Sequence, residues 1–358
     1  MRSVLKNPRI VAHVSTHDTR RHLTTALVVA FLLTTASILN FAATVPVRAQ
    51  NVNGDPSEMR TPLRVQPAFD GERALAHVRA LVELGPRPAG SKELERARAY
   101  IVGALKSFGL KVGEDGFDVK TPVGKRRMFN VTAEMKGDSD DFIIIASHYD
   151  TKLYKQFRFV GANDGGSSTG ALLELARVLA ASPRPHFSYR FVFFDGEEAF
   201  CAEWDECAKP NAPDNTYGSR RYVERLRVSG ELKRLRALVL LDMIGYEKLE
   251  LGRDEMSTPW LVEIIWQTAR ELGYSKQFAD RMEGIGGDDH EPFLREGVPS
   301  VDLIQLNSYP HWHTPEDTLD KISASSLKAV GDVVLASLPR VEKKLQDERQ
   351  RVSGESRR

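Results

Sequence analysis

Histidine and carboxylate side chains recur just after the most apolar stretches of this chain, which points to a cation held at the rim of a buried sheet. Residues 142–145 are Phe and Ile throughout and lead to His148 and Asp150. Residues 191–194 lead to Asp195, Glu197 and Glu198, and residues 239–241 lead to Asp242. Any one such acid is ordinarily a solvated loop charge. Several crowded at one apolar edge would repel one another unless a cation neutralised them. Two further segments enlarge the set. The loop Gly161-Ala162-Asn163-Asp164-Gly165-Gly166 brings Asp164 to the start of a helix, where glycine permits a tight turn, and His311-Trp312-His313 sets two imidazoles beside an indole. Mixed Asp, Glu and His donors suit zinc, whose catalytic sites take three protein ligands and leave one position open. Calcium favours all-oxygen ligands and magnesium keeps more water, so the histidine decides for zinc. A phosphate cradle in the glycine loop is disfavoured, because no lysine follows the glycines as in a P-loop.

Such residues need elements to hold them, and the patterning supplies an alternation of helices and strands. Helical periodicity covers residues 69–84 up to Gly85, and Ser91 caps a second helix that runs to Phe108 before Gly109. Residues 111–119 and 128–135 alternate like strands. The runs 142–146, 189–194, 237–243 and 298–303 are too apolar for half-exposed strands and suit central strands buried on both faces. Helices are expected over residues 171–181, 217–227, 260–272 and 323–345. This predicts a single α/β domain over residues 67–346, with a twisted, mostly parallel (mixed) central sheet and helices on both faces. Its sites belong in the crevice beyond the C-terminal strand ends. Residues 347–358 read as a charged flexible tail.

Composition narrows the classes. The chain has 358 residues, 41% hydrophobic and 28% charged, enough to bury a core. A net charge of +1 without a basic stripe argues against nucleic acid as a partner. Arg2, Lys6, Arg9, Arg20 and Arg21 precede an apolar run over residues 23–47, and Val47-Arg48-Ala49 offers a cleavage site. Residues 1–49 thus read as a signal peptide, giving a secreted or periplasmic protein, or else as an N-terminal membrane anchor facing outward. Residues 50–66 are a linker. Cys201 and Cys207 are the only cysteines, too few for a zinc ribbon. In an exported chain a local disulfide is expected, with two unrelated thiols as the alternative.

His148-Tyr149-Asp150, Asn163-Asp164-Gly165, Asp195-Gly196-Glu197-Glu198, Leu241-Asp242-Met243-Ile244-Gly245 and His313-Thr314 resemble, in the same order, the metal motifs of the zinc aminopeptidase family. Within it, the chain is more similar to the glutaminyl cyclases. That likeness rests on Phe193-Phe194-Asp195-Gly196-Glu197-Glu198-Ala199-Phe200 followed by Trp204, on Asp288-Asp289-His290 with Pro292-Phe293-Leu294-Arg295, and on Trp312-His313-Thr314. The resemblance implies an aminopeptidase-like fold and a zinc held by Asp164, Glu198 and His313. It further implies Glu197 as general acid/base and Asp288 in the proton network beside it. Trp204 and Trp312 would wall the substrate pocket, with Tyr309 as the aromatic expected shortly before His313. Trp204 stands slightly farther from the glutamate pair than in the cyclases, and the loop 201–215 is longer.

The implied activity is a cyclotransferase that converts the N-terminal glutamine of peptides or proteins to pyroglutamate and releases ammonia. The same residues also suit a di-zinc aminopeptidase, in which His148 and Asp242 complete a second site, Asp164 bridges and Glu197 activates water. One Zn²⁺ accompanies the first reading and two the second. A catalytically silent receptor-like ectodomain is disfavoured, since it has no need of an intact Glu197.

Overall fold

The apolar runs form the middle of a six-stranded sheet with the order β1-β2-β4-β3-β5-β8. In this computed structural model, residues 68–209 and 212–355 are described. The chain begins with α1 (Gly71–Leu84) and α2 (Lys92–Ser107), continues through the hairpin β1 (Lys111–Thr121) and β2 (Gly124–Met135), and then enters β3 (Phe142–His148). There follow α3 (Gly166–Ala180), β4 (Ser188–Phe194), α4 (Tyr217–Ser229) and β5 (Leu235–Asp242). A smaller parallel pair, β6 (Leu251–Asp254) and β7 (Phe278–Glu283), brackets α5 (Pro259–Glu271). The short α6 (Glu291–Arg295), β8 (Ser300–Ile304) and α7 (Ala324–Glu355) complete the order.

The helix ends follow from capping chemistry. The Asp70 carboxylate accepts the Glu72 and Arg73 amides at the start of α1, and the Ser91 hydroxyl accepts the Leu94 amide at the start of α2. Each occupies an amide that the first helical turn leaves without a partner.

The sheet is mixed. β1 with β2 and β2 with β4 pair antiparallel, whereas β4–β3, β3–β5 and β5–β8 pair parallel. Period-2 alternation divides its core. Ile143, Ile145, Phe191, Phe193, Val239 and Leu241 face α1, α3, α5 and α7, while Phe142, Ile144, Val192 and Phe194 face α4 and α6. Each such residue, fully removed from water, stabilises the fold by about 1.5–3 kcal/mol. The parallel strands therefore end at one edge, with His148 in register with Phe194 and Asp242 in register with Ile304.

Two differences from the sequence reading have physical causes. The final helix does not stop near residue 345 but runs to Glu355. Ion pairs Lys343–Asp347 and Lys344–Glu348 at i,i+4 spacing support the helix through its charged end, and Arg349 on Asp141 at 2.9 Å ties that end to the body. The pair β6–β7 was missed, since its strands are short and their burial does not alternate cleanly. The expected signal or anchor, residues 1–49, and the linker, residues 50–66, lie outside the described residues. No helix among the described residues is long and apolar enough to cross a membrane.

Candidate active site

Three loops at the C-terminal edge of the parallel strands bring the metal-type donors together. Asp164 precedes α3 on a turn closed by Gly165, whose φ of 71° suits glycine. A Cβ there would come within 2.6 Å of the Asp150 carbonyl oxygen and 3.0 Å of the His148 ring. Glu198 follows β4, and its side chain accepts the Lys152 amide at 3.1 Å. His313 lies in the loop after β8 with φ 55°, a conformation that costs a non-glycine residue energy and so marks a site the surroundings enforce. Its Nε2 stands 3.3 Å from Glu198 Oε2 and 3.4 Å from Asp164 Oδ2. Ligands bound to one tetrahedral zinc at about 2.0–2.1 Å lie about 3.3 Å apart. The buried Asp164 Oδ2 has no hydrogen-bond partner among the described residues, a lone pair left for a cation. The donor set therefore fits zinc.

A second group shares Asp164. His148 Nε2 lies 3.3 Å from Asp164 Oδ1 and 3.1 Å from Asp242 Oδ1, so these three also converge. Burial opposes ionisation of Asp164, yet the two imidazoles beside it hold its carboxyl well below the ordinary range. Burial likewise disfavours a charged His313, but Glu198 and Asp164 outweigh it and raise its pKa to about 9.

Glu197 sits apart from the Asp164–Glu198–His313 group. Burial pushes its carboxyl well above the ordinary range; the charge on His148 opposes that shift, and Asp288 and Glu198 reinforce it. Its Oε2 is 3.8 Å from His148 Nδ1. Asp288 lines the same cavity, and burial followed by Asp242 raises it to about 6. Asp150 and Asp195, which sequence placed among the converging acids, serve the backbone instead. The Asp150 carboxylate accepts the amides of Glu197 and Glu198 at 3.1 and 3.4 Å, and Asp195 accepts the Phe129 amide at 2.7 Å. They aim the glutamate turn.

The Asp164, Glu198 and His313 side chains open into a cavity of about 260 Å³ walled by Trp204, Ile285, Ile304, Leu306 and Trp312. Trp312 is 43% exposed, and its indole stacks on the His313 ring with centroids 4.2 Å apart. Trp204 is carried by a loop that the Cys201–Cys207 disulfide closes, so the two cysteines are bonded. Tyr309 departs from expectation: it is buried away from the cavity and its hydroxyl donates to Asp317 Oδ1 at 2.7 Å. Beyond Trp312, the rings of Tyr154 and Phe159 also stand beside His313, at centroid distances of 6.0 and 5.9 Å.

Sequence reasoning missed the Ile285-Gly286-Gly287 wall, which the paired glycines before Asp288 signalled. It also missed Asp302, a buried acid inside the apolar strand β8. A lone carboxylate in such a run was the available signal.

Comparison with known proteins agrees with this geometry. Residues 130–338 match the model of Peptidase family M28. The glutaminyl-peptide cyclotransferase of Bos taurus is 31% identical over 252 residues, covering 62% of this chain and 68% of that protein. The crystal structure of an Acidobacteriales bacterium glutaminyl cyclase superposes with a TM-score of 0.73 at 35% identity, covering 79% of this chain and 98% of that one. A Zn-dependent exopeptidase from Parabacteroides distasonis gives 0.68 at 26% identity, covering 75% and 98%. This chain belongs to Peptidase family M28 and, within it, to the glutaminyl cyclases.

Proposed function

We propose that this chain is a zinc-dependent glutaminyl-peptide cyclotransferase, acting on peptide or protein N-termini, with one zinc held by Asp164, Glu198 and His313. One observation carries the reading: this ligand group opens directly onto the cavity walled by Trp204 and Trp312, with the buried Glu197 beside it. When bound, zinc supplies a Lewis acid that polarises the γ-amide oxygen and stabilises the negative charge developing on it.

This chain's own groups do the rest. The apolar walls exclude water and confine the glutamine side chain so that its α-amine meets its own γ-carbon, replacing a costly search with a fixed geometry. As the amine nitrogen bonds to that carbon, Glu197 accepts the amine proton. It then delivers a proton to the amide nitrogen, which leaves as ammonia when the C–N bond breaks. A carboxyl that burial raises well above the ordinary range holds a proton more readily, which suits its return to the leaving nitrogen. Asp288 supports Glu197 electrostatically from the same wall. Residues 1–49 act as an export signal or an outward-facing anchor on this reading, and residues 67–346 form the catalytic domain.

The convergence of His148, Asp164 and Asp242 favours a second reading, a di-zinc aminopeptidase. Ammonia and pyroglutamate formed from a Gln-initiated peptide, with one zinc per chain, support the cyclase. Free amino acid released from a Leu-initiated peptide, with two zinc ions per chain, supports the peptidase.

A further inference from the structure

The loops carrying Asp164 and His313 share no strand, yet their donors stand 3.4 Å apart, and His313 keeps a left-handed backbone. One carboxylate joins them. Asp317, fully buried and four residues beyond His313, accepts the Asn163 amide on Oδ1 at 2.8 Å and the Asp164 amide on Oδ2 at 3.1 Å. Its Oδ1 also accepts the Tyr309 hydroxyl at 2.7 Å. Its carbonyl oxygen accepts the Ala162 amide at 3.4 Å, and its own amide donates to Thr314 at 3.2 Å.

From the other side, the buried Arg87 guanidinium donates to the carbonyls of Val160 and Gly161 at 2.7 and 3.2 Å. The glycine loop is therefore held by its amides on a carboxyl group and by its carbonyls on a cation. Only the carboxyl group belongs to the His313 loop. Buried amides deprived of a partner are costly.

We propose that Asp317, braced by Tyr309, is a positioning residue that fixes the separation of Asp164 and His313 and thereby sets the affinity of the site for zinc. This rests on the ligand assignment above. Asp317 does not touch the metal. It acts by presenting two ligand loops in one frame, as outer partners of metal ligands do.

The test measures zinc affinity of the purified chain by competition with a chromophoric chelator, for the parent and for Asp317→Asn, Tyr309→Phe and Asp141→Asn. In Asp317→Asn an amide NH₂ must face one of the two backbone donors, so affinity should fall about 10–100-fold, the range for lost outer-shell partners. Tyr309→Phe removes one hydroxyl, leaves both amide bonds, and should lose affinity in the same direction but less. Asp141 is a matched buried carboxylate before β3, at the other end of the sheet, bound to Arg236 and Arg349 at 2.8 and 2.9 Å. Asp141→Asn should lower thermal stability and leave zinc affinity unchanged, which separates positioning from general loss of structure.

If Asp317→Asn does not fold, Tyr309→Phe decides. Parental zinc affinity in Tyr309→Phe, or in a folded Asp317→Asn, overturns the inference while the ligand assignment stands. A parent chain that takes up no zinc overturns both.

Discussion

Replacing His313 by alanine removes one of three donors and leaves Asp164 and Glu198 facing each other. The loss can be scaled. Four-ligand zinc sites bind with about 10–16 kcal/mol, so one ligand accounts for roughly 3–4 kcal/mol, or about 10²–10³ in Kd. His313 Nε2 is 3.3 and 3.4 Å from the carboxylates it joins, and its removal leaves no other imidazole beside Glu198 among the described residues, so we expect the full loss. His311 is the internal control. Two residues away, its ring packs on Tyr246 and Tyr309 at 5.9 and 5.6 Å between centroids. It is not among the groups able to hold a cation. Chelator competition on both variants, with thermal melting to confirm folding, gives the answer. His313→Ala should bind zinc about 10²–10³-fold more weakly, and His311→Ala should match the parent. The reverse order, or equal loss in both, would refute the ligand assignment.

Three further outcomes are expected. Glu197→Gln keeps size but cannot carry a proton, so turnover should fall by about 10²-fold or more with zinc content unchanged, whereas Glu198→Gln should lose zinc; equal zinc loss in both contradicts the division of roles. Asp288→Ala should lower kcat with zinc retained, measured as ammonia release beside metal analysis, and loss of zinc in this variant would make Asp288 part of the metal site. Trp312→Ala strips the wall stacked on His313 and should lower kcat/KM for Gln-initiated peptides by about 10²-fold, the scale of lost positioning; unchanged kinetics would remove Trp312 from the pocket.

The central strands were legible because residues such as Ile143 to Ile145 are apolar on both faces, a pattern that only a covered sheet accommodates. The placement of the acids that follow these runs was legible for the same reason. A charge that follows such a run must lie at the strand end, as Asp242 does. What a charge does there was not legible. Asp150 and Asp195 have the same sequence setting as Glu198, yet they bind backbone amides, and only the path of the turn separates the roles. Tyr309 was misplaced because spacing from His313 says nothing about which way a ring points. Asp317 escaped notice since its partners, Asn163 and Asp164, are more than 150 residues away in sequence. The end of α7 was misjudged because its charged residues read as solvated, whereas the i,i+4 pairs and Arg349 on Asp141 bind them.

The most direct test of the central claim is incubation of the purified zinc-loaded chain with a Gln-initiated and a Leu-initiated peptide, with ammonia, pyroglutamate and free leucine measured alongside zinc per chain. Ammonia and pyroglutamate in equal amounts from the first peptide, no leucine from the second and one zinc per chain are expected. Brisk leucine release, no ammonia and two zinc ions per chain would contradict the cyclase and leave an aminopeptidase in its place.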